Sequence, residues 1–271
     1  MVWILRSPTQ ENLVNAIHHN WRSSFLTQRK EPEWEWFEDP DATYFIRDKQ
    51  APMFNRIEKT NLTLETADQR ISEIKSVFTS SNTPFTWSIN PDDKPDDLAA
   101  RLEKAGLKRE ETRSMAIEIK DLKMPKCPEG FTVEEPDGIK EVDAWARLML
   151  DAYGMGSGYI DTFVKMVHSQ SRRGDYFYYT GLLDGLPVAT AMTFLSDGVV
   201  GVYCVATDPS VRGKGIGSYI TAIPLLDAKE KGYEVSILHA TRMGYPVYER
   251  LGYREICKKV TYSWTPPPAS T

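Results

Sequence analysis

Apolar residues first recur at helical spacing in Leu13, Ala16 and Ile17, behind Ser7-Pro8-Thr9, which offers a cap and an early proline. That spacing predicts a helix over residues 9–20. Residues 29–40 are acidic and aromatic, with Trp34, Trp36 and Phe37. They read as a surface loop whose aromatics pack back onto the domain, with a ligand platform as the alternative. Strands are expected over 42–46 and 53–60, a helix over 66–78 and a strand over 85–89. Pro91-Asp92-Asp93-Lys94-Pro95 then breaks the chain before a helix over 97–105, which Gly106 ends, and a strand over 113–119 closes this half.

Two prolines and a glycine between Leu122 and Gly130 read as a linker, after which the pattern restarts. A strand is expected over 131–135, a helix over 139–150, a glycine-punctuated loop over 153–159 and a helix over 160–169. Asp184-Gly185 suits a tight turn between strands 175–183 and 186–195. After Ser196-Asp197-Gly198, residues 199–206 form a nearly continuous apolar run, fit for a strand buried on both faces. An amphipathic helix reaches about Lys231, and strands follow over 234–240 and 260–264. This order predicts an α/β (α+β) class, a mixed and mostly antiparallel sheet flanked by helices, in two domains over residues 1–122 and 131–265 with a tail over 266–271.

The 271 residues suit two domains, and 41% apolar residues suffice for a core in each. A formal net charge of −5 offers no broad attraction for nucleic acid or anionic lipid, so neither is expected as a partner. Cys127, Cys204 and Cys257 are far apart and lack the close pairs of a zinc or redox motif. They read as reduced thiols, and no metal is expected. The first residues are too short an apolar run for a signal peptide, and no stretch of about 18 apolar residues occurs. A cytoplasmic protein is the expectation.

The segment with the most chemistry is Val205-Ala206-Thr207-Asp208-Pro209-Ser210-Val211-Arg212-Gly213-Lys214-Gly215-Ile216-Gly217-Ser218, between the buried strand and a helix. Its glycines allow a tight turn and close approach of a ligand, and the first amides of the helix, at the positive end of its dipole, suit phosphate oxygens. Arg212 and Lys214 would add charge. The spacing is not that of a P-loop, and the alternating glycines do not match the dinucleotide fingerprint.

Arg212, Gly215 and Gly217 match the Arg/Gln-x-x-Gly-x-Gly/Ala signature that follows a strand in the GNAT superfamily of acyl-CoA-dependent N-acyltransferases, which residues 131–264 resemble. Tyr248, Gly252 and Tyr253 match a second element, Tyr-x-x-x-Gly-Phe/Tyr. The resemblance implies acetyl-CoA as cosubstrate, and an amine of a small molecule or peptide as acceptor. It places the pantetheine arm and acyl carbonyl on Val205, Ala206 and Thr207, the pyrophosphate on the loop Arg212–Gly213–Lys214–Gly215–Ile216–Gly217–Ser218, and a proton donor to the departing thiolate at Tyr248. Packing between sheet and loop is the other reading of Tyr248. Thr241 stands where many relatives have Asn or Ser, implying a role in positioning the cofactor. Residues 152–159 would border the acceptor, with Tyr153, Tyr159 and Tyr203 as candidate contacts.

The general base is not identified. His239 stands near the strand end and His168 on a helix near the acceptor loop. Strand alternation turns Cys204 away from the face of Tyr203, and no neighbouring histidine activates it as a nucleophile. A CoA-binding sensor without turnover is the alternative to an enzyme. Residues 102–110 parallel residues 248–256, so the first half looks like a second, degenerate acyltransferase-like fold. There Leu102 replaces the tyrosine, and no glycine occurs between Arg56 and Thr66, so no CoA site is expected in that half.

Overall fold

The computed structural model describes residues 3–29, 34–48, 51–155 and 157–267. Gly156 of the expected glycine-punctuated loop, residues 30–33 of the aromatic stretch and residues 268–271 of the tail lie outside them. In chain order the elements are α1 (Gln10–Leu26), β1 (Glu35–Asp39), β2 (Ala42–Ile46), β3 (Asn55–Thr60), α2 (Ala67–Thr79), β4 (Phe85–Ile89), α3 (Leu98–Lys104), β5 (Lys108–Glu118), β6 (Phe131–Glu134), α4 (Ile139–Ala152), α5 (Ile160–Ser171), β7 (Tyr176–Leu183), β8 (Leu186–Ser196), β9 (Val199–Thr207), α6 (Ile216–Glu230), β10 (Val235–Ala240), α7 (Tyr245–Leu251) and β11 (Arg254–Trp264). The class is the expected one, strands mostly antiparallel with helices on the faces. Among the described residues no helix is long and apolar enough to cross a membrane.

The chain forms two compact units, the described parts of Met1–Gln28 with Arg113–Cys257, and of Arg29–Thr112 with Lys258–Thr271. These divisions fall within β5 and β11, not in the 122–130 linker, because each sheet is completed by the other sequence half. In the first unit β5 pairs antiparallel with β10, Ala116 opposite Ile237, and α1 packs Leu13, Ala16 and Ile17 against Val199, Val235 and Ile237. In the second, β11 pairs antiparallel with β4, Tyr262 opposite Trp87. Hydrophobic periodicity reports which side chains are buried and is silent on which neighbour buries them.

In the first unit the strands run in the order β6-β7-β8-β9-β10-β5. Asp184 and Gly185 both take positive φ, 52° and 80°, as the tight β7–β8 turn requires. One face carries α6 and α7, which bury Val200, Val202 and Leu238. On the other, α4 buries Val142, Trp145, Ala146, Met149 and Leu150, the i, i+3, i+4, i+7, i+8 stripe of an amphipathic helix. Its Trp145 packs on Tyr178 and donates its indole N–H to the Tyr179 carbonyl at 2.9 Å.

The second unit orders its strands β1-β2-β3-β4-β11, and its core gathers Tyr44, Ile57, Ile71, Phe78, Trp87, Leu102 and Tyr262. Residues 35–39, expected as loop, are strand β1, in register with β2. Trp34 is buried and stacks on Trp36, with Arg47 over its ring, so these aromatics pack onto the domain. On β3 and β4, the buried Arg56 and Glu58 pair directly, and Ser88 accepts from Arg56 and donates to Glu58, each at 3.0 Å. Burial alone would raise Glu58, but Arg56, Lys259 and Ser88 outweigh it and hold the carboxyl below its ordinary value.

Candidate active site

Everything at the site begins with β9. It pairs parallel with β10 over Val200–Val202 and Ser236–Leu238 only, after which the two strands part, while its pairing with β8 continues to Thr207. Between Tyr203 and Ala206 the β8 register shifts, so that Cys204 and Val205 stand opposite Ala191 in a β-bulge. Cys204 has φ 50°, and Thr190 donates its hydroxyl to the Cys204 carbonyl at 2.8 Å. The bulge breaks the alternation from which Cys204 was expected to face away from Tyr203. Burial pushes the Cys204 thiol up to about 12, which leaves it un-ionised at neutral pH.

Beyond β9, Asp208 holds the turn by accepting from the Ser210 amide and hydroxyl, bonds that keep its carboxyl below the usual range. Gly213 and Gly215 then take φ 83° and 84°, the left-handed region in which a side chain is strained. Gly215 is the N-cap of α6, and no side chain caps that helix. Gly217 differs from both, since its φ is ordinary and a Cβ there would meet Thr207 at a normal 3.5 Å.

A cavity of about 750 Å³ opens over this helix start. Of the candidates from sequence, Val205, Ala206, Thr207, Arg212, Gly213, Gly215, Ile216, Gly217, Ser218, Tyr153 and Tyr248 line it, as do Thr241 and His239. Lys214, Tyr159, Tyr203 and His168 do not. Tyr203 instead donates its hydroxyl to Asn20 of α1 at 2.7 Å, and His168 contacts Asp143 at 2.6 Å, joining α5 to α4. Arg242 and Arg250 also line the cavity, so that among the described residues it has three arginines, with Arg212, and no carboxylate, in a chain of net charge −5.

The bonds from Arg212 to Ala152 and from Tyr153 to Val205 had no sequence signal, because their partners lie 60 and 52 residues apart in the chain. Arg212 donates to the carbonyls of Thr207 at 3.0 Å and Ala152 at 2.8 Å, tying the glycine turn to the ends of β9 and α4. Tyr153 donates its hydroxyl to the Val205 carbonyl at 3.0 Å. A third feature was local and overlooked: a Cβ on Gly244 would come within 2.8 Å of the Tyr248 ring, so glycine makes room for the tyrosine.

Tyr248 is buried on α7, its ring 6.1 Å from that of Tyr253, and burial pushes its hydroxyl up to about 12. It therefore holds its proton at neutral pH while facing the cavity. His239 sits one residue past the last β9–β10 pair, its Nδ1 2.9 Å from the Ser114 hydroxyl and its ring edge-on to Trp21 at 5.1 Å.

Residues 198–256 match the family model of the acetyltransferase (GNAT) domain. Over 165 residues the chain is 26% identical to a mycothiol acetyltransferase of Thermomonospora curvata, covering 55% of this chain and 53% of that protein. The chain thus spans about half the length of that relative. A GCN5-related N-acetyltransferase from Kribbella flavida has a similar structure, with a TM-score of 0.69 at 22% identity over 94% of this chain and 96% of its own. A tandem GNAT protein from the clavulanic acid biosynthesis pathway aligns over 99% of both chains, with a TM-score of 0.58 at 10% identity. Both are likenesses of fold. The match to the acetyltransferase (GNAT) domain runs from the turn before β9 through α6, β10 and α7 into β11, and it includes most of the residues that line the cavity, while the chain as a whole shares the fold of these GNAT structures.

Proposed function

We propose that this chain is an N-acyltransferase that moves an acetyl group from acetyl-CoA to an amine of a small molecule or peptide by direct attack. The observation that carries this is the cavity at the start of α6, where an uncapped helix N-terminus and three arginines meet no carboxylate among the described residues and Tyr248 keeps its proton. Such a cavity favours a polyanion, and the amides of Ile216, Gly217 and Ser218 suit a pyrophosphate. Where β9 and β10 part, the backbone of Val205, Ala206 and Thr207 is available to the amides of a pantetheine arm and to the acyl carbonyl.

In the reaction the neutral amine nitrogen adds to the thioester carbonyl, and the tetrahedral adduct collapses with cleavage of the C–S bond. Tyr248 gives its hydroxyl proton to the departing sulfur, and the surplus proton on nitrogen leaves to solvent. The resulting tyrosinate regains a proton from water before the next cycle. Arg212, held by two carbonyls, acts by fixing the loop, and Lys214 remains solvated.

The corresponding strand–helix–strand–helix–strand run in the first half, β3–α2–β4–α3–β5, is a degenerate copy without a CoA site. Its β3–α2 junction has no glycine, and Leu102 stands at the place of Tyr248. That half serves packing or acceptor selection.

The test is release of free thiol from acetyl-CoA across a panel of primary amines. Amine-dependent release is expected. Binding of acetyl-CoA without release for any amine, by the native chain and Tyr248→Phe alike, would favour a CoA sensor instead.

A further inference from the structure

Two side-chain links strap the end of α4 to the end of β9. Arg212 joins the Ala152 carbonyl to that of Thr207, and Tyr153, the C-cap of α4, donates its hydroxyl to the Val205 carbonyl at 3.0 Å. Cys204 and Val205 form the bulge against β8, and side chains hold both of their carbonyls, Thr190 the first and Tyr153 the second. Tyr153 is 48% exposed, yet burial raises its hydroxyl above the ordinary value. Its ring therefore stands at the cavity mouth while its tip reaches inside. The titratable groups near enough to act on that tip are Cys204 and Tyr248, so it lies beside the part of β9 that has left β10 and beside the proposed proton donor.

A thioester whose carbonyl meets the end of β9 and whose sulfur meets Tyr248 needs the place that the Tyr153 hydroxyl holds. Resting on the acetyl-CoA reading above, we propose that Tyr153 is a gate on the thioester end of the cavity, displaced from the Val205 carbonyl as the pantetheine arm enters and returning as it leaves. The exchange keeps that carbonyl partnered throughout, since the O–H···O bond from Tyr153 is given up for an N–H···O bond from the arm. The helix stays wound. The Tyr153 amide is bonded to the Met149 carbonyl at 3.1 Å, and a change of side-chain rotamer alone carries the hydroxyl away. Breaking the Tyr153–Val205 bond is then a cost that every arm-bearing ligand meets, and one that a ligand confined to the start of α6 escapes.

The experiment is calorimetric titration of the full chain and of Tyr153→Phe, which keeps the ring and removes the bond, with acetyl-CoA and with 3′-phospho-ADP, the part of CoA without the arm. The variant should bind acetyl-CoA roughly fivefold more tightly than the native chain, the worth of one net hydrogen bond. Both proteins should bind 3′-phospho-ADP equally, which also verifies that the variant is folded. Equal affinity of the two proteins for acetyl-CoA overturns the gate and leaves the acetyl-CoA reading intact. Weaker binding of acetyl-CoA alone by the variant also overturns it, and makes Tyr153 a contact of the ligand. A change of the same size for both ligands overturns it too, since 3′-phospho-ADP does not extend to Val205. No binding of acetyl-CoA by either protein removes the acetyl-CoA reading, and the proposal falls with it.

Discussion

At the scale of single residues, the proposed reaction would draw its chemistry from Tyr248 and its binding backbone from the glycines. Tyr248 lines the cavity with its proton held by burial. Tyr248→Phe should therefore keep acetyl-CoA affinity and lower kcat roughly 10²-fold, measured with the best amine of a panel. An unchanged kcat would leave Tyr248 as packing. Gly215→Ala forces a side chain into φ 84° and should cost about 1–2 kcal/mol, read from denaturant unfolding. Gly217→Ala lies in ordinary helix with room for its Cβ, so its stability should be equal or slightly higher. The glycine pattern was visible in sequence, but the separate reasons for the three glycines were not, since φ is not written in the chain.

At the scale of elements, α2, α4 and the β7–β8 hairpin were legible because each combines a clear period with a terminator of its own. The apolar stripe of α4 and the Asp184-Gly185 turn need no knowledge of neighbours. Strand β1 was missed because Glu35 and Glu38 are exposed and Asp39 is held by Tyr44 and Arg70, contacts that composition does not show, so the segment reads as a loop. The first part of β5 was missed for a similar reason. There Lys258 with Glu111 and Ser263 with Glu110 stand where apolar alternation would be. The bulge at Cys204 was unreadable as well. A one-residue shift against β8 is set by pairing, and it re-aims every side chain after it.

At the scale of the whole molecule, the two sequence halves exchange their last strands, and a boundary drawn at the linker cuts through both units. A fragment of residues 123–271 lacks α1 and β5 and would expose Val235 and Ile237. It should be insoluble or molten by near-ultraviolet circular dichroism, and residues 1–122 supplied in trans should restore it. Glu58→Ala leaves Arg56 buried without its carboxylate and should destabilise the protein by about 3–5 kcal/mol in denaturant unfolding.

Alkaline pH supplies a further check on burial. Tyr248 is raised to about 12 from an ordinary 10, and Tyr178, Tyr203 and Tyr253 are raised too, all by burial. Between those values the unfolded chain releases phenolic protons that the folded chain retains. Stability should then fall with rising pH, about 1.4 kcal/mol per unit for each such tyrosine, and hold steady below pH 9. Melting temperatures between pH 8 and 11.5 measure this.

The central claim is one acetyl-CoA site per chain, at the start of α6. Its most direct test is calorimetric titration of acetyl-CoA into the native protein and into Gly217→Glu, which adds a charge at the helix start without requiring a strained φ. One equivalent bound by the native chain, and none by a Gly217→Glu protein that retains its native circular dichroism, is the predicted result. Two equivalents, or undiminished binding by Gly217→Glu, would contradict it.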